Sequence, residues 1–188
     1  MQVHHITPGR SDKNIGKAIN DLIDGLPEDD WICLRDIDTI PMHHLTFFEQ
    51  CEAIAKRGEY DLVGCMTNRL GVKYQLYKDE FSDDFDLRNH LEIGKELYEK
   101  YGNMVEDAPG VIAGIMMLFP VRIWEYVGGF DEGGVMLSGG MFDTVFNQKV
   151  RNIYRGRVGV AKGIYLFHLY RPWADGRDIR LQYKHLEK

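Results

Sequence analysis

Residues 31–38 read Trp31-Ile32-Cys33-Leu34-Arg35-Asp36-Ile37-Asp38, an apolar run that passes through one arginine directly into a pair of carboxylates. A short continuous apolar run of this kind reads as a strand buried on both faces. On an extended segment, residues two apart project to the same side. Asp36 and Asp38 are therefore expected to share one side of the chain, at the C-terminal end of a buried strand. Two carboxylates this close repel unless a positive charge lies between them. A hard divalent cation such as Mn²⁺ or Mg²⁺ prefers carboxylate oxygens and meets that need. The plainer alternative is a pair of strand-end caps in a turn before Pro41.

Around this stretch, strands and helices alternate. Residues 1–7 predict a first strand that ends at Pro8-Gly9. Ser11 is expected to cap a helix from Asp12 to about Asp24, with Ile15, Ala18, Ile19, Leu22, Ile23 and Leu26 as its apolar stripe. A second helix is predicted from about His43 to Arg57, burying Phe47, Phe48, Cys51, Ile54 and Ala55, with Gly58 as its stop. Tyr60 to Met66 predicts a strand, and 67–84 a loop or irregular ribbon. A third helix, about Phe85 to Tyr101, is expected to bury Leu87, Leu91, Gly94, Tyr98 and Tyr101. Val111 to Phe119 predicts another strand, and Val121 to Val127 a short helix. Phe142, Val145, Phe146, Val150 and Ile153 mark a fourth long helix. Two short strands are predicted around Lys162-Gly163, from Arg157 to Ala161 and from Gly163 to Leu169. This alternation predicts a single α/β domain over 1–188 with a mixed, mainly parallel sheet flanked by helices. Ligand sites in such sheets lie beyond the C-terminal strand ends, here Thr7–Arg10 and Asp36–Asp38.

The chain has 188 residues, 44% apolar and 28% charged, which fits one soluble globular domain. Its net charge of −6 argues against general nucleic-acid or anionic-membrane binding, which need a basic face. No apolar run is long enough for a membrane span, and the polar N-terminus does not resemble a signal peptide. Cys33, Cys51 and Cys65 form no C-x-x-C pair, which fits a reducing cytoplasm.

Other residues could carry chemistry. His168 closes the last predicted strand on the face of Ile164 and Leu166, and neutral imidazole is a good ligand for a divalent metal. Asp143 begins the fourth long helix. A carboxylate there favours the helix dipole, or can act as a general base on a hydroxyl. Gly128 and Gly129, before Asp131, would let the backbone approach a sugar, or form an ordinary turn. Arg10, Lys13, Asn14 and Arg35 flank the first strand ends, where they could meet an anionic ligand. Trp173 could stack on a sugar or base.

Four segments together resemble a glycosyltransferase of the GT-A fold, similar to the family 2 group. Residues 14–20 (Asn14-Ile15-Gly16-Lys17-Ala18-Ile19-Asn20) resemble the N-x-G-x-A-x-N helix, and residues 30–41 the D-x-D strand. Residues 124–132 (Trp124-Glu125-Tyr126-Val127-Gly128-Gly129-Phe130-Asp131-Glu132) resemble the acceptor-side W-x-x-x-G-G-F-D-E segment. Residues 158–168 resemble the closing strand that returns a metal-binding histidine. The resemblance implies a Rossmann-like GT-A domain, with 1–41 as the nucleotide and metal half, 42–170 as the acceptor-side half and 171–188 as a tail. It implies a hexosyltransferase-like, inverting enzyme that takes a nucleotide-diphosphate sugar, UDP-linked by preference, and a glycan or other hydroxyl acceptor. Asp36, Asp38 and His168 would hold Mn²⁺ or Mg²⁺, and Asp143 would be the base. Thr7, Pro8, Arg10, Asn14, Arg35 and Asp36 would meet the donor. Gly128, Gly129, Asp131 and Trp173 would lie on the acceptor side.

Three other classes stay open. A haloacid-dehalogenase-type phosphatase would use Asp36 as nucleophile and Asp38 as acid, but Ile40-Pro41 stands where Thr or Val is wanted. A nucleotidyltransferase would want a fuller glycine-rich phosphate loop than Pro8-Gly9-Arg10. A catalytically degenerate nucleotide- or glycan-binding module would keep the fold without turnover.

Overall fold

A computed structural model describes residues 1–9, 14–132 and 141–169. Seven strands form one mixed sheet: β1 (Val3–Ile6), β2 (Trp31–Arg35), β3 (Thr39–Pro41), β4 (Leu62–Thr67), β5 (Val105–Asp107), β6 (Met116–Pro120) and β7 (Val158–His168). The order is β1-β2-β6-β4-β7-β3, with β5 also paired to β7. Only β1–β2 and β4–β7 are parallel; β2–β6, β4–β6, β3–β7 and β5–β7 are antiparallel. The expectation of a mainly parallel sheet is corrected. The α/β alternation is real, but β6 enters the centre of the sheet against its neighbours, and β3 and β5 are short strands that periodicity alone did not expose.

Alternation along the strands separates two cores. Ile32, Leu34, Leu62, Met117, Phe119, Val160 and Phe167 face one side, and Trp31, Cys33, Val63, Cys65, Leu118, Ile164 and Leu166 the other. The first side is covered by α1 (Ile15–Ile23) through Ile19 and Ile23, by α3 (Leu87–Tyr101) through Leu97, by α4 (Val121–Tyr126) and by α5 (Met141–Lys149) through Phe146. The second is covered by α2 (His44–Arg57) through Phe47, Cys51, Ile54 and Ala55. Burial on both faces explains why β2, β4 and β6 read as unbroken apolar runs. Cys33 and Cys51 meet across the β2–α2 contact as thiols 3.9 Å apart. Among the described residues, no helix is long and apolar enough to cross a membrane.

Several boundaries differ from the sequence expectation. Asn14, not Ser11, caps α1, accepting the Lys17 N–H on its side-chain oxygen; Ser11 lies outside the described residues. Phe48 is exposed, lying edge-on to His5. On α3 the buried face is His90, Gly94 and Leu97, whereas Leu87 and Leu91 are exposed. His90 displaces the apolar reading because both ring nitrogens are satisfied, by the Tyr165 hydroxyl at 2.9 Å and Asp84 O at 2.8 Å. The strand predicted from Val111 begins only at Met116, because the backbone of 112–114 is held by side chains instead of by a neighbouring strand. After α5 the chain widens into a π-helical turn over Val150–Tyr154, and Ile153 there is exposed.

The two predicted C-terminal strands are one. β7 runs through Lys162-Gly163 as a bulge, where the β4 register jumps from Cys65↔Ala161 to Met66↔Tyr165. Gly163 is required there, since a side chain would begin 2.0 Å from Gly102 O.

Phe146 is fully buried and stacks on Phe130 with centroids 4.2 Å apart and planes 13° from parallel. Phe146→Ala is expected to lose about 3–5 kcal/mol in urea denaturation. Leu87→Ala, on the exposed side of α3, is expected to change stability by less than about 0.5 kcal/mol.

Candidate metal centre

β2 and β3 are consecutive in the chain but far apart in the sheet order, so residues 36–38 carry the chain along the rim of the sheet. They form a tight turn and not the extended segment that the sequence suggested. Thr39 N–H and Thr39 Oγ1 both donate to Asp36 O, at 3.3 and 2.7 Å. Asp36 N–H donates to Ile115 O at 3.1 Å, and Arg35 Nη1 to Thr39 O at 3.2 Å. The turn is thus braced on both sides before any ligand is considered.

β3 then pairs with the end of β7. Thr39 stands opposite His168, and Leu169 N–H donates to Asp38 O at 2.8 Å. This pairing brings together residues about 130 apart in sequence: Asp38 Oδ2 lies 3.5 Å from His168 Nε2. One ligand atom from each of Asp36, Asp38 and His168 lies within 4.8 Å of the others, and all three residues are half-buried. Two carboxylates and an imidazole form a hard, mixed O/N donor set of the kind that suits Mn²⁺ or Mg²⁺. These residues can hold a metal ion, as the sequence anticipated.

Asp143 reaches the neighbouring stretch of backbone. Its Oδ2 accepts Gly114 N–H at 2.7 Å and its Oδ1 accepts Thr144 N–H at 2.6 Å. Gly114 adjoins Ile115, whose carbonyl holds Asp36 N–H. Asp143 is 8% exposed, and burial raises its pKa above the usual aspartate value of 3.8 against those backbone bonds.

The remaining predicted residues divide into two groups. Thr7 and Pro8 follow β1, whose Ile6 pairs with Leu34, so they emerge beside Arg35 at the same sheet end as the triad. Asn14, Gly128, Gly129 and Asp131 gather instead around Asn20 of α1. Asn20 Oδ1 accepts Trp124 Nε1–H and Phe130 N–H, each at 2.9 Å, and Asn20 Nδ2 donates to Phe130 O at 2.9 Å and Glu132 Oε1 at 2.8 Å. Asn14 Nδ2 adds a bond to Glu132 O at 3.0 Å. A Cβ on Gly129 would start 2.8 Å from Asn20 Oδ1, and its φ of +67° favours glycine. Gly129 thus serves this helix–turn clamp directly. Arg10, Lys13 and Trp173 lie outside the described residues.

A cavity of about 500 Å³ opens beside the clamp, lined by Asn20, Asp21, Asp24, Trp124, Glu125 and Glu132 among others. None of the triad lines it, and its carboxylates would repel a diphosphate. The triad, unlike this cavity, brings two carboxylates and an imidazole within reach of one cation.

Sequence reasoning missed Thr39, Asn68 and Gln75. Gln75 Nε2 donates to Cys65 O at 3.0 Å and Gln75 Oε1 accepts Ala113 N–H at 2.7 Å, joining β4 to the stretch before β6. Thr67-Asn68-Arg69 follows an apolar strand just as Asp36-Ile37-Asp38 does, so the same strand-end rule could have found it. Compared with protein-family models and with curated proteins, the chain matches none.

A raised carboxyl pKa means that folding favours protonated Asp143. That contribution is complete below 3.8 and is lost as pH rises through the higher folded value. The stability of the wild type relative to Asp143→Asn should therefore decline with rising pH in urea denaturation stepped across this range. A difference that grows with pH would contradict the burial effect.

Proposed function

We propose that the protein is a divalent-metal-dependent glycosyltransferase that moves a sugar from a nucleotide-diphosphate donor to an acceptor hydroxyl with inversion. The observation that carries this reading is the convergence of Asp36, Asp38 and His168 at the rim of the sheet, within 4.8 Å of one another. Two carboxylates beside each other need a cation between them, and a diphosphate needs one to offset its own charge. A bound Mn²⁺ or Mg²⁺ would supply Lewis-acid stabilisation of the departing diphosphate.

The chain's own residues divide the work. Asp36 and Asp38 would hold the cation at the donor's diphosphate end, and His168 Nε2 would complete the protein's share. Thr7 and Pro8 flank the nucleotide beside Arg35. Asp143 takes the proton from the acceptor hydroxyl. Burial raises its pKa, which strengthens it as a base. UDP-sugars are the preferred donor class, with a glycan or other hydroxyl compound as acceptor.

The second reading is a nucleotide- or glycan-binding module without turnover. It is favoured by one observation: both Asp143 oxygens already accept backbone N–H groups.

Thermal shift with nucleoside diphosphates and nucleotide-sugars, with and without Mn²⁺, tests the reading. Stabilisation of about 2.7 kcal/mol is expected at a hundredfold excess over Kd, with one nucleotide and only with metal. Asp36→Ala, Asp38→Ala and His168→Ala should each weaken that binding at least about tenfold, or ~1.4 kcal/mol. Asp143→Asn should spare binding and abolish transfer. Normal turnover by the Asp38 variant would overturn the metal assignment, and metal-linked binding without turnover would favour the module.

A further inference from the structure

β4 ends at Thr67, and the next residue, Asn68, is 1% exposed although its side chain is a primary amide. A buried amide is costly unless its donors and acceptor are used. Here both ends are used, largely on one residue. Asn68 Oδ1 accepts the backbone N–H of His168 at 2.8 Å, and Asn68 Nδ2 reaches His168 O at 3.4 Å and Ser82 O at 3.3 Å. The last backbone pair between β4 and β7 is Thr67↔Leu166. The Asn68 side chain therefore extends that ladder beyond the point where the two backbones stop pairing.

The adjacent carbonyl completes the arrangement. Arg69 O lies 3.4 Å from His168 Nδ1, and a carbonyl can only accept, so this contact favours the tautomer with the proton on Nδ1. That tautomer would turn the Nε2 lone pair, on the nitrogen 3.5 Å from Asp38 Oδ2, toward a cation held with the carboxylates. Asn68 O also accepts Ser82 N–H at 2.8 Å, which ties the far end of the 67–84 segment to the same point.

We infer that Asn68 is a positioning residue of the metal centre: by fixing the backbone of His168 it sets the ring between Arg69 O and Asp38. The inference rests on the reading of Asp36, Asp38 and His168 as metal ligands. It also couples the 67–84 segment to the metal centre, since Ser82 and His168 share the same amide.

The test combines Mn²⁺ titration followed by electron paramagnetic resonance with long-range ¹H–¹⁵N spectra of the His168 ring. Asn68→Ala should weaken Mn²⁺ binding about 10- to 100-fold and move the His168 ring nitrogen signals. In a His168→Ala background the same substitution should add no further loss. Equal losses in both backgrounds would mean a general structural role and would overturn the inference, as would unchanged affinity and ring signals. Asn68→Asp keeps the Oδ1 acceptor but sets a second acceptor against the His168 and Ser82 carbonyls in place of the Nδ2 donor, so it should move the ring signals; it is the variant to read if Asn68→Ala does not fold, and unchanged signals in it would also overturn the inference. A wild-type protein that binds no Mn²⁺ would remove the metal-centre reading, while the ring signals would still decide whether Asn68 positions His168.

Discussion

The pairing of β3 with the end of β7 is the contact on which the candidate site depends. Three residues of β3 register against Leu166, Phe167 and His168, and Leu169 N–H closes the pairing on Asp38 O. Without it, Asp36 and Asp38 would be an acidic turn and His168 a strand-end histidine. β3 is short, and its pairing is reinforced from outside: Arg35 and Thr39 brace the turn, and Asn68 holds the β7 backbone on its opposite edge. Side-chain amides thus take over where the backbone ladders end. Backbone polar groups at a sheet rim must find partners, and here those partners also fix the ligand set.

The same device recurs one layer away. Residues 112–114 run into β6 without a neighbouring strand, and Gln75, Asn147 and Asp143 take up their polar groups. Asp143 is therefore held by the backbone segment that also holds Asp36, through Gly114 and Ile115. Asp143 and Asp36, held on one short stretch of backbone, keep their relation if that stretch is rigid. On α1, Asn20 fastens residues 124–132 with four hydrogen bonds. The acidic cavity beside it contains none of the triad residues.

Much of the fold was legible in the sequence because its strongest signals are local. β2 was read to the residue from Trp31-Ile32-Cys33-Leu34-Arg35, and α2 nearly so, since Gly58 stops it in the left-handed conformation. The errors fell where tertiary contacts replace periodicity. Leu87 and Leu91 look like a buried stripe, yet His90 faces the core because Tyr165 and Asp84 satisfy its ring. Lys162-Gly163 looks like a turn between two strands, yet β7 continues through it because Gly163 lets the backbone pass against Gly102. Two short strands, β3 and β5, have no pattern of their own and exist only through β7.

Among the site residues, sequence alone determined the donors: a D-x-D after a buried strand, a histidine ending the last strand, and an aspartate at the start of a helix. Their chemistry is intrinsic to the side chains, and their strand-end positions follow from the apolar runs before them. Tertiary structure alone decided which of them meet. It turned an expected extended D-x-D into a hydrogen-bonded turn, brought His168 to Asp38 across about 130 residues, and assigned Gly129 to a helix clamp. It also drew Asn68 into the site, because a buried amide shows its purpose only through the backbone that it bonds.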